Sequence, residues 1–310
     1  MTDAGAVALR LGLYLDLMAL FGVAAFALYA LRGDERHFDG AIALGPWLWG
    51  SAALGVLLSF GGLLVLAAGM ASVPLASVDL ASVKMIVGTT SVGAAWLVRM
   101  AALLLAFAAT VALRRRPAIA LSFVAGTAAT ALASLAWGGH GAMDEGAIGW
   151  IHLTADIGHL LAAGIWVGAL LALLLLVFRR HDLVDRDHLM LSHRALAGFS
   201  LVGTLTVAAI IVSGLVNSWL LVGPANILKL PSSLYGQLLI AKLLLFGAMV
   251  ALAATNRFRL VPQFGRSLAS ADHLGALRAL RRSLVIESGC AVAVLALVAW
   301  LGTLEPPTSM

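Results

Sequence analysis

The sequence predicts an all-α, polytopic membrane helix bundle of about eight transmembrane helices, with both termini on the outer side. Three observations carry that expectation. Of 310 residues, 62% are hydrophobic and 11% charged, with a mean hydropathy of +1.01; a soluble domain carries roughly twice that charged fraction. The apolar runs are continuous and about 20 residues long, the length a helix needs to cross a bilayer, and lack the short alternation of a membrane barrel. Arginine gathers in alternate loops, which sets a direction.

The runs fall at about 7–31, 47–69, 91–113, 117–137, 149–178, 196–222, 234–254 and 283–303, read as one integral membrane domain over 1–310. The first contains Asp16 and precedes no small-residue cleavage site, so it reads as a span rather than a signal peptide. The fifth is long enough to tilt or to project. Polar or Pro/Gly-marked links separate the runs, among them RGDERHFDG, RRRP, GGHGAMDEG and VGPANILKLPSS. Segment 70–90 spaces its apolar residues as an interfacial helix does. The single cysteine, Cys290, excludes a disulfide within the chain and any CxxC metal site.

Fifteen of the 20 basic residues lie in alternate loops, as Arg32 and Arg36, Arg114 to Arg116, Arg179 to Arg194, and Arg257 to Arg282. The opposite loops hold Lys84 and Lys229. The positive-inside rule therefore puts loops 114–116, 179–194 and 255–282 in the cytoplasm. The same bias explains the pI near 10.0 without any nucleic-acid partner.

The histidines divide by side. His37, His181, His188, His193 and His273 fall in the arginine-rich loops and read as solvated. His140, His152 and His159 lie on the outer side. His152, Asp156 and His159 stand at i, i+4 and i+7, within about 60° of arc on one helix face. His159 is about 10 Å deeper than His152, at 1.5 Å per residue. An ionisable group at mid-membrane costs roughly 2.5–3.5 kcal/mol on insertion scales. Three on one face, with His140 and Met143 in the loop above, suggest a metal site; a satisfied polar network is the structural alternative. Imidazole suits Cu(II), Zn(II) and Ni(II), and thioether shifts preference toward Cu(I). Asp156 could ligate directly or orient a ligand imidazole. Gly164 and Gly168, a GxxxG on another face, read as a packing surface.

Other polar groups lie inside the spans. Asp16, Arg99 and Lys242 each sit about as deep as His159, and Asp16 is expected to pair with Arg99 or Lys242, as buried ions must. Asn217 lies shallower, and Tyr235 begins the seventh run. Glu287, one turn beyond Arg282, is expected to pair with the arginine-rich loop. Met18 and Met249 are possible thioethers that read more simply as core.

The run HLTADIGHLLAAGIWVG resembles the copper resistance protein D (CopD/PcoD) family. So do FSLVGTLTVAAIIVSGLVNSWLLVG, SLYGQLLIAKLLLFGAMVALAATNRFRLVP, GTTSVGAAWLVR and LYLDLMALFG, so the likeness runs along nearly the whole chain. The resemblance implies an eight-span bacterial inner-membrane protein of copper homeostasis, in which the outer side that the arginines assign to both termini is the periplasm. It implies copper movement from periplasm to cytoplasm alongside a periplasmic copper-binding protein. Carried onto this chain, the candidate metal residues are His140, His152, Asp156 and His159; Asn217, Tyr235, Lys242, Asn256 and Arg257 match motif positions without an assigned role.

Two further readings stay open. One is electron transfer through b-type haem; His152 and His159 share one helix face and cannot clamp one haem between them, although His140 could oppose either. The other is a copper sensor or assembly factor that holds metal at the outer surface without moving it. No Ser/His/Asp set, P-loop or dinucleotide fingerprint appears, so the chain does not read as an enzyme and ATP-driven pumping by it alone is disfavoured.

Overall fold

A computed structural model describes residues 4–139, 146–179, 186–268, 274–305 and 307. Ten α-helices appear there: α1 (Ala4–Ala30), α2 (Leu44–Ala71), α3 (Leu80–Thr89), α4 (Ser91–Ala109), α5 (Pro117–Ala133), α6 (Gly146–Val177), α7 (Arg186–Val222), α8 (Leu234–Thr255), α9 (Val261–Ser267) and α10 (Leu274–Leu301). Eight helical segments among the described residues, one of them running from α8 through α9, are long and apolar enough to cross a membrane, whereas α3 is shorter, and no strand occurs among the described residues. The protein is thus an all-α polytopic bundle.

The bundle is built around α1 and α6. Leu17, Leu20, Ala24, Phe26 and Ala27 of α1 are fully buried, because α2, α5, α6 and α10 all pack on this helix. A helix apolar all round buries every face. α7 and α8 instead expose Leu201, Leu205, Val212, Leu215, Leu243 and Leu244. Such an apolar exterior suits a hydrocarbon solvent.

Glycine sets the closest approach. A Cβ on Gly22 of α1 would lie 2.6 Å from the Gly168 Cα of α6 and collide with the Gly164 carbonyl oxygen. Without side chains there, the two backbones touch, the small-residue device by which membrane helices pack. Gly164 and Gly168 therefore form the expected packing surface, and Gly22 is their counterpart.

The ends are capped locally. Asp79 accepts from the Ser82 N–H at 2.8 Å to start α3, the expected interfacial helix, and Thr90 and Ser233 cap α4 and α8 in the same way. At the arginine-rich end, Arg36 donates to the carbonyls of Ala27, Leu28 and Leu31, which α1 leaves unpaired. Arg194 donates to both oxygens of Glu35, at 2.6 and 2.5 Å, tying α7 to the turn after α1.

Three helices run further than their apolar runs. α7 begins at Arg186 rather than near 196, and α10 at Leu274 rather than near 283. The seventh span continues through a π-helical turn, Asn256–Leu260, into α9. Hydropathy marks only the length that tolerates lipid, whereas Arg, Leu and Ala carry a helix onward into the interface. These extensions bury two histidines expected in solvent. His188 is 6% exposed, with Nε2 2.9 Å from the Leu176 carbonyl and Nδ1 3.3 Å from Arg179. His193 is half-buried against Phe264. His37 remains exposed beside Asp34, and His181 and His273 lie outside the described residues.

Candidate functional site

A cavity of about 200 Å³ opens between α1, α6, α7, α8 and α10 at the end of the bundle opposite the arginine-rich loops. Asp156 and His159 of α6 line it, together with Asn217 of α7, Tyr235 and Lys242 of α8, and Arg10, Tyr14 and Met18 of α1. The i, i+3 spacing brings Asp156 and His159 to one wall. Asn217 Nδ2 donates to Asp156 Oδ1 at 2.6 Å. Lys242 is within electrostatic reach of both Asp156 and His159.

The hydrogen bonds define the imidazole. His159 Nδ1 lies 2.9 Å from Ser213 Oγ. That hydroxyl gives its own hydrogen to the Ala209 carbonyl at 2.6 Å, so it accepts from His159 Nδ1–H. The Nε2 lone pair is then the one available to a metal or a proton, the usual consequence of an anchored second nitrogen.

The expected set is not brought together as a whole. His152 is 1% exposed and is not among the residues lining this cavity. Seven residues of helix place it too near the end of α6, so one helix face does not mean one site. His140 and Met143 lie outside the described residues; Gly139, the last described before them, lines the cavity. Among the described residues, no three His, Cys, Asp or Glu side chains gather closely enough to hold a metal. Asp156 and His159 supply two donors, with the Met18 thioether in the same cavity.

Asp16 departs from its expected pairing with Arg99 or Lys242. It bonds Ser51, and its Oδ2 faces the bare backbone of Gly55 on α2. Arg99, 8% exposed, interacts electrostatically with Tyr14 instead. α2 offers a hydroxyl and a missing side chain at the level of Asp16, and packing decides in their favour.

Glu287 also departs from expectation. It does not pair with an arginine; Oε1 accepts from Trp166 Nε1 and Oε2 from Asn256 Nδ2, each at 2.9 Å. α10 turns this carboxylate inward against α6 and the π-helical turn, away from the arginine-rich surface. Arg257, the next residue of that turn, donates to the Ser200 carbonyl and to Thr204 Oγ1 on α7.

With this geometry in view, comparison with known proteins is informative. Residues 1–150 match the family described as Copper resistance protein D-like, N-terminal domain, and residues 193–301 match Copper resistance protein D. A protein of Pseudomonas syringae pv. tomato named Copper resistance protein D is 43% identical over 307 residues, covering 99% of this chain and 98% of its own length. The chain belongs to the copper resistance protein D family. A second relative of this family member, the Inner membrane protein YebZ of Escherichia coli (strain K12), is 29% identical over 301 residues, covering 97% and 98% of the two chains. No solved structure matches. The family assignment and the eight apolar helices together make this a multi-pass membrane protein related to copper.

Four residues of these sites escaped the reading of the sequence. Arg10 donates to the carbonyls of Gly302 and Gly138, tying α1 to the ends of two other spans, and its charge inside the first apolar run was the available signal. Tyr14, four residues on, shares that face. Ser213 and Trp166 carried no signal, since hydroxyls and indoles are common in spans and only contact reveals a partner.

Proposed function

We propose that this family member carries copper ions across a bacterial inner membrane from periplasm to cytoplasm, with Asp156 and His159 as ligands at the outer end of the bundle. The observation that supports this reading most is their convergence on one polar cavity, with His159 Nε2 left as the available nitrogen. The arginine distribution supports a sidedness in which the cavity end is the periplasmic face. Asp156 and His159 form an incomplete coordination set, which favours transient rather than permanent binding. His140 and Met143, in the segment after Gly139, would receive the ion first, delivered by a periplasmic copper-binding protein. While the cavity is empty, Lys242 offsets the charge of Asp156; an arriving cation takes over that role. Copper is the cargo and undergoes no chemistry in this scheme.

A haem reading requires a second imidazole opposite His159, and among the described residues no other histidine lines the cavity. The test is copper uptake by proteoliposomes holding the parent or His159→Ala protein in matched folded amounts. The parent should accumulate copper inside the vesicles, and His159→Ala should not. Copper bound by the parent without accumulation would favour a sensor or assembly role.

A further inference from the structure

Three cavities follow one another along the seam of α6, α7, α8 and α10. The outer cavity shares His159 and Lys242 with a middle one of about 340 Å³. The middle cavity shares Trp166 with an inner one of about 440 Å³, which reaches Arg257 at the arginine-rich end. Trp166 is thus the wall between middle and inner cavities, and its indole N–H is bonded to Glu287.

Glu287 is 1% exposed, and both its oxygens accept from uncharged donors. Among the described residues, no basic group lies within 4.0 Å of it. A buried carboxylate without a counter-charge is strongly disfavoured, and a proton removes the charge. Asn256 can serve both forms. Its Nδ2 donates to the carboxylate, while its buried Oδ1 has no hydrogen-bond partner among the described residues. Half a turn of the amide exchanges donor for acceptor and suits a protonated carboxyl. Asn256 also opens the π-helical turn, a distortion that recurs at functional positions.

We propose that Glu287, held by Trp166 and Asn256, is a proton-exchange site that takes up and releases one proton through the inner cavity. The step is carboxylate plus proton to carboxylic acid; no electron moves, and the proton comes from water entering at the arginine-rich end. Carboxylate and amide oxygens are poor partners for copper(I), which separates this centre from the outer one. His193 and Arg257 are the titratable or charged groups sharing the inner cavity with Glu287. On the elements packed against α10, Asp156, His159 and Lys242 line the outer cavities, and Asp16 faces Ser51 and Gly55. Arg10 is bound at Gly302, and Arg266 donates to the Pro262 carbonyl within α9. On α10 itself, Arg281 donates to the Val177 carbonyl.

The test is infrared difference spectroscopy of the full-length protein in lipid nanodiscs without copper, titrated from neutral to acid pH. The parent should show a protonated-carboxyl stretch that titrates, lost in Glu287→Gln, retained in Asp16→Asn and restored at a shifted frequency in Glu287→Asp. A band unchanged in Glu287→Gln overturns the proposal. If Glu287→Gln does not fold, Trp166→Phe removes one donor from the carboxylate and should shift the midpoint of the band; an unmoved midpoint overturns the proposal equally. Loss of one bound copper equivalent in Glu287→Gln, with the carboxyl band intact, would make the centre a metal site instead. Because the titration contains no copper, its outcome is separate from that of the outer site.

Discussion

Replacing Asp156 by Asn tests the outer cavity at its most exacting point. The exchange keeps the volume and an oxygen positioned to accept from Asn217 Nδ2, so the 2.6 Å bond can persist as a neutral one. What is lost is the negative charge that Lys242 and an incoming cation both need. A carboxylate that ligates a metal, or orients its imidazole, is worth about 10–100-fold in metal affinity. That factor equals about 1.4–2.7 kcal/mol of binding free energy. Asn217→Ala is the companion variant. It keeps the charge but strips a donor from Asp156, so it should lower stability by about 1–3 kcal/mol while leaving a ligand carboxylate in place. Copper affinity is measured by competition with a chromophoric chelator, and stability by thermal unfolding in detergent, on monodisperse protein. The expected pattern is a large affinity loss with little unfolding change in Asp156→Asn, and the opposite weighting in Asn217→Ala. Unchanged copper affinity in folded Asp156→Asn would refute the reasoning and return Asp156 to the scaffold.

Two further outcomes follow from the packing and the caps. Gly168→Ala places a methyl group 2.7 Å from the Val23 backbone nitrogen and should destabilise the bundle by about 1–3 kcal/mol, whereas Gly126→Ala, inside α5 with open space around it, should not lower the unfolding midpoint and should raise it slightly through alanine's helix propensity. The Asp79 carboxyl, outside the spans, is held below the usual carboxylate range by its hydrogen bonds from Ser82. A depressed folded value means that its contribution to α3 is complete above the unfolded value and is lost as pH falls through the folded one. Hydrogen exchange of the Ser82 and Val83 amides, corrected for intrinsic rate, should lose protection in acid in the parent and not in Asp79→Asn; equal acid dependence in both would remove the cap from the account.

The eight spans and the family could be read from the chain alone. Bilayer thickness fixes how long an apolar run must be, and helical periodicity fixes which residues share a face. Asp156 and His159 were legible for that reason, and Gly164 with Gly168 for a similar one. Partners were not legible. Asp16 meets Ser51 and Gly55 rather than Arg99 or Lys242, and Glu287 meets Trp166 and Asn256 rather than an arginine. His152 shares a helix face with His159 but not its cavity. A single sequence states each helix's own period and nothing of the rotation and offset between helices. Those are set by close packing, here by the contact of Gly22 with Gly164 and Gly168 that brings α1 onto α6, and only the assembled bundle decides which polar atoms then face one another.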